Sequence, residues 1–76
     1  MNAADPSVPC GRYRHYKGRD YLVLGVAHHS ETEEELVVYQ QDYGERGWWV
    51  RPKKMFLETI EREGEQVPRF AWIGDS

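Results

Sequence analysis

Trp48, Trp49 and Arg51, in the run WWVRP, place two large flat rings and a guanidinium within five residues. Such rings stack on bases, methylated amines, proline or peptide side chains, and an arginine grips a carboxylate or phosphate through paired hydrogen bonds. Upstream, RYRHYKG and HHSETEEELVVYQ add Tyr13, His15, His29 and Tyr39. Tyr13, His15, Tyr39, Trp49 and Arg51 read as one shallow aromatic and cationic groove, with His29 a further candidate contact. The competing account is that Tyr and Trp are core, because large rings dominate the interiors of small domains, and that Arg51 pairs with a nearby acid. Adjacent residues of a strand face opposite ways, so one tryptophan is expected to fill the interior and the other to point out. Trp49, which shares strand parity with Arg51, is the expected outward ring; Trp48 then joins Val50 on the core side. A bulge near Gly47 would reverse that assignment.

Other chemistry is poorly supplied. His15, His28, His29 and the acids at 31 and 33–35 are zinc-type ligands, but neighbouring histidines in an extended segment diverge, and there is neither a second cysteine nor an HxxxH spacing. No metal and no cofactor are expected. The better reading is local, with one of the histidines and Ser30 capping the loop. Ser30, His29 and Glu31 contain the elements of a nucleophilic triad, yet sequence neighbours seldom converge in the required geometry, and neither a nucleophile elbow nor a phosphate loop occurs. Catalysis is therefore not expected. Arg51, Lys53 and Lys54, interleaved with Trp48, Trp49 and Phe56, form a minor basic cluster that would suit a single-stranded nucleic acid.

Composition sets the bounds. Seventy-six residues make one modest core, at a size where folding without disulfides or metal is marginal, and the lone Cys10 closes no internal bridge. No apolar run is long enough for a signal peptide or a membrane span, so a soluble, cytoplasmic protein is expected, with no membrane partner. A formal charge of −3 argues against generic attraction to duplex DNA or anionic lipid. The charge is uneven, with Arg12, Arg14, Lys17 and Arg19 near the start and acids at 31–35 and 58–65.

These side chains must be held by short strands. Residues 1–10 are polar and twice interrupted by proline, and read as a disordered leader. RYRHY is a first strand, and YLVLGVA (21–27) a second in which Leu22, Leu24 and Val26 oppose Tyr21, Val23 and Gly25, the glycine marking a bulge or bend. The acidic stretch 30–35 lacks helical periodicity and reads as a loop. LVVYQQ (36–41) is a third strand and 48–51 a fourth, ended by Pro52. PKKM forms a tight turn, and 56–61 and 67–73 bracket a hairpin turning near Gly64. The fold class is all-β: an SH3-like barrel of five or six short, strongly bent antiparallel strands over residues 11–74, closure removing exposed edges.

RYRHYKGRDYLVLGVAHHSETEEELVVYQ, then YGERGWWVRPKKMF, then VPRF, together resemble a small bacterial family known only as a domain of unknown function, DUF1653. The resemblance covers roughly residues 11–74, nearly the whole expected fold, and implies a compact SH3-like barrel, without bringing an activity, cofactor or catalytic residue. Function is thus expected from the surface: a binding module for a peptide segment or small anionic ligand. The alternatives are an assembly element whose exposed rings are buried by self-association as a homodimer, and single-stranded nucleic-acid binding, which the net charge disfavours.

Overall fold

The computed structural model describes residues 7–74. Among them β1 (Gly11–His15), β2 (Asp20–His28), β3 (Glu35–Gln41) and β4 (Trp48–Pro52) precede a one-turn helix, α1 (Lys53–Phe56). Then follow β5 (Thr59–Arg62), β6 (Glu65–Pro68) and β7 (Phe70–Gly74). Five strands form one antiparallel sheet in the order β4-β3-β2-β1-β7, and β5 and β6 pair only with each other. The all-β class stands, but the described strands number seven rather than five or six. The sheet is open, with β4 and β7 as its edges, rather than closed into a barrel. The cause lies at Arg69: the segment expected to be one strand over 67–73 breaks there, so its first half completes a hairpin and its second half joins β1.

Pairing fixes which residues share a face. Val23 lies opposite Tyr39, but Gly25 lies opposite Val38 and Val26 opposite Val37, so Leu24 is an extra residue in β2. This bulge, where a glycine is expected to mark one, shifts the alternation by one position. Tyr21, Val23 and Val26 consequently share the core face, correcting the grouping of Val26 with Leu22 and Leu24. The face they build is covered by Phe56, carried over by α1, and by Phe70 from β7. The two rings stack with centroids 4.3 Å apart, and Tyr13 meets Phe56 edge-on at 5.3 Å. Val8, Val37 and Tyr39 complete the core.

Val8 is fully buried and Pro9 accepts a hydrogen bond from the Tyr13 hydroxyl at 2.8 Å. The folded region therefore starts before Gly11: a single valine in a polar leader is enough to anchor it. The rest of the expected leader, residues 1–6, lies outside the described residues. Gly11 is held at φ +144, where an added Cβ would come within 2.5 Å of the Gly74 carbonyl oxygen and 2.7 Å of the Trp72 ring.

On the outer face two of the early basic residues, Arg12 and Arg14, are neutralised. Arg14 makes a two-pronged contact with Asp20, Arg12 reaches Asp20 and Asp42, and Arg46 also binds Asp42. The hairpin is fastened at both ends. Arg62 Nη1 donates to the Tyr16 carbonyl at 2.6 Å, and Arg69 pairs with Glu58 through both backbone and side chain.

Candidate functional site

Cross-strand pairs place Tyr39 opposite Trp49 and Val37 opposite Arg51, and since Tyr39 and Val37 are core residues, Trp49 and Arg51 lie on the core face of β4. Trp48 and Val50 occupy the outer face. This is the reverse of the expected assignment, and neither tryptophan is core: Trp48 is 68% and Trp49 54% exposed. The physical reason is the edge position. Only β3 flanks β4, so a ring on either face has neighbours on one side alone.

At this edge Tyr21, Tyr39, Gln41, Tyr43, Trp49 and Arg51 line a cleft of about 200 Å³. Tyr39 forms its floor, with Tyr21 edge-on at 5.4 Å and Tyr43 edge-on to Tyr21 at 5.6 Å. Arg51 Nε donates to the Tyr39 hydroxyl at 3.3 Å while its guanidinium sits 5.5 Å from the Phe70 ring centroid. Arg19 lies over the Tyr43 ring at 4.6 Å. Gln41 is fixed by accepting the Gly47 N–H on Oε1 at 2.9 Å.

Electrostatics make the cleft donor-rich. The Tyr21 and Tyr43 hydroxyls are 2.8 Å apart. Burial, and then the bond to Tyr43, push the Tyr21 phenol up to about 12, whereas hydrogen bonds from Tyr21 and then Gln41 hold Tyr43 below its ordinary value. Either hydroxyl can donate in this bond, and the one that accepts keeps its own proton for another partner. Among the described residues Arg12, Arg14, Arg46 and Arg69 each pair with a carboxylate, whereas Arg19, Arg51 and Arg62 have none, Arg62 being held by the Tyr16 carbonyl. No carboxylate lines the cleft, and the Arg51 guanidinium does, so an anionic group is the complementary guest.

Of the expected site residues, the structure brings together Tyr39, Trp49 and Arg51. Tyr13 is a core residue, 5% exposed, because β1 lies between β2 and β7 and its inward positions are covered from both sides. His15 is one ring away, edge-on to Phe70 at 4.9 Å and 6.4 Å from Tyr21, with Nδ1 accepting the Lys17 N–H. Burial lowers its pKa, and the cations of Arg51, Arg69 and Lys17 lower it further. His29 lies beyond the far end of β2, where its Nδ1 accepts the Glu31 and Thr32 N–H groups, the local capping role. Tyr21, Gln41 and Tyr43 are the missed members, with Arg19 beside them over the Tyr43 ring. Gln41 follows Tyr39 at a strand's period of two, a signal that could have found it, whereas Tyr43 lies past the end of β3, where alternation places nothing.

Three larger hollows are weaker candidates, one of them, of about 400 Å³, an open depression on the hairpin between Arg62, Glu63, Glu65 and Val67. One of about 420 Å³ lies between Glu33, Glu34 and Glu35 and the α1 lysines, but Lys53 already pairs with Glu35. Another of about 310 Å³, between His15 and the hairpin, is largely apolar. No three His, Cys, Asp or Glu side chains converge for a metal among the described residues, and no described helix is long and apolar enough to cross a membrane.

The model of a family of proteins of unknown function, DUF1653, matches residues 11–72. The chain is also similar to the crystal structure of a DUF1653 protein from Bordetella bronchiseptica. The two are 39% identical over 91% of each chain, with a TM-score of 0.83. No curated protein matches.

Proposed function

We propose that this chain, which belongs to the DUF1653 family of proteins of unknown function, is a non-catalytic binding module whose cleft takes an anionic group presented beside an apolar or aromatic one. The observation that carries this is Arg51: half-buried, oriented by Tyr39 and Phe70, free of any carboxylate among the described residues, and next to the exposed Trp49. A guanidinium so held loses little freedom on gripping a carboxylate. The neutralised Arg12, Arg14 and Lys53 leave no continuous basic track, which favours a compact anion over a nucleic-acid strand. A free, exposed Cys10 suits a reducing compartment, so we place the module in the cytoplasm.

The test is a titration of the ¹⁵N-labelled protein with N-acetyltyrosine and with its uncharged amide. The carboxylate form should move the Trp49 indole and Arg51 Nε resonances and bind about tenfold more tightly than the amide, the worth of one charged hydrogen bond. Arg51→Ala should erase the difference. Equal behaviour of the two compounds, or shifts that avoid Trp49, would show that the cleft is not an anion site.

A further inference from the structure

Gln41 N–H donates to the Gly47 carbonyl at 2.9 Å, which fixes the hydrogen-bonding phase between β3 and β4. Such pairs recur every second residue in an antiparallel ladder, at Tyr39 with Trp49 and at Val37 with Arg51. Trp48 and Val50 therefore aim their N–H and C=O groups away from β3, toward an edge that no described strand occupies. Pro52, next in that phase, has no N–H to offer. The strand presents side chains on both sides of this edge: Trp49 and Arg51 toward the cleft, Trp48 and Val50 outward.

We propose that β4 accepts an extended acidic peptide as a sixth, antiparallel strand. Its backbone would bond to Trp48 and Val50, with a carboxylate side chain laid onto Arg51 and apolar side chains against Trp48 and Val50. The inference rests on the cleft being an anion site. Charge complementarity selects the occupant, since Arg51 and Arg19 are cations without a carboxylate among the described residues, and no acid lines the cleft. A second copy of this chain fits less well. A two-fold pairing centred on Val50 would set each Trp48 carbonyl opposite Pro52, which has no donor, and would bring no carboxylate to Arg51. Strand addition draws affinity from the main chain and specificity from alternate side chains, and β4 supplies both.

The probe is the capped peptide acetyl-TEVYV-amide, whose glutamate falls opposite Arg51 and whose central valine falls opposite Val50. Two di-N-methylated versions are compared with it by titration against the full chain. Methyl groups on the third and fifth residues remove the donors that face β4; methyl groups on the second and fourth face solvent. The first version should lose at least about tenfold in affinity, the second should bind like the parent, and a glutamine replacing the glutamate should also weaken binding about tenfold. If both methylated peptides bind alike while the glutamate still matters, strand addition is overturned and the anion cleft survives. If neither the peptide nor N-acetyltyrosine binds, both fall. A dimer seen by sedimentation that the peptide does not dissociate would assign the edge to a second copy and overturn the proposal.

Discussion

Phe56→Ala should unfold this domain, whereas Trp48→Ala and Trp49→Ala should leave it folded, although tryptophan is the larger ring. Phe56 is 1% exposed and covers the core from a helix of only four residues, stacked on Phe70 and edge-on to Tyr13. Burying about 200 Å² at about 25 cal/mol per Å² corresponds to roughly 5 kcal/mol, in line with the 3–5 kcal/mol typical of Phe→Ala in cores. A chain of this length is expected to hold only about 4–11 kcal/mol of stability in all. Trp48 is 68% exposed, so about a third of roughly 250 Å² is covered, worth at most about 2 kcal/mol, and Trp49 is only slightly better covered. Urea titrations followed by near-ultraviolet circular dichroism, with an amide spectrum of each variant, make the comparison. A cooperative Phe56→Ala transition within about 1 kcal/mol of the parent would refute the placement of the core, as would a Trp48→Ala chain that is equally unfolded.

Gly11→Ala should cost about 2–3 kcal/mol, because its methyl group meets the Gly74 carbonyl and the Trp72 ring where neither can withdraw freely; a thermal melt checks it. Stability should also fall in mild acid. His15 has a folded pKa lowered by burial and then by Arg51, Arg69 and Lys17, so its contribution is complete above the unfolded value of 6.5 and is lost as pH drops through the lower folded value. Melting midpoints measured downward from neutral pH should decline in that window, and His15→Gln should flatten the decline.

Strand periodicity made most of this fold legible. The runs RYRHY, YLVLGVA, LVVYQQ and WWVR all became strands, Gly25 marked the bulge, and PKKM made one tight turn. What alternation cannot supply is the identity of the covered face at an edge. Trp49 and Arg51 share a side, as their spacing requires, but whether that side meets the core depends on which strand lies next to β4, a long-range fact. The bulge hides Val26 for a related reason: its location is readable from Gly25, while the direction of the shift depends on which residue is left unpaired. Val8 and Tyr13 show a third limit. Composition describes a segment, and a single buried side chain in a polar segment leaves composition nearly unchanged. Of the cleft, Tyr39, Trp49 and Arg51 were recoverable from residue type and parity. Tyr21 was not, because its link to Gln41 exists only once β2 pairs with β3.

The hairpin turn bears on how this chain tolerates change in length. Glu63 and Gly64 sit at its tip with positive φ, and nothing lies within 4 Å of where a Gly64 side chain would begin. Of the bonds that fasten β5 and β6 to the body, those between Arg69 and Glu58 lie at the other end, while Arg62, next to the tip, holds the Tyr16 carbonyl. Lengthening a surface loop costs only about 0.6 kcal/mol for each doubling. An insertion between Glu63 and Gly64 that keeps Arg62 on the Tyr16 carbonyl is thus tolerated, and a reporter or affinity tag can be grafted there, leaving the cleft and its edge strand untouched.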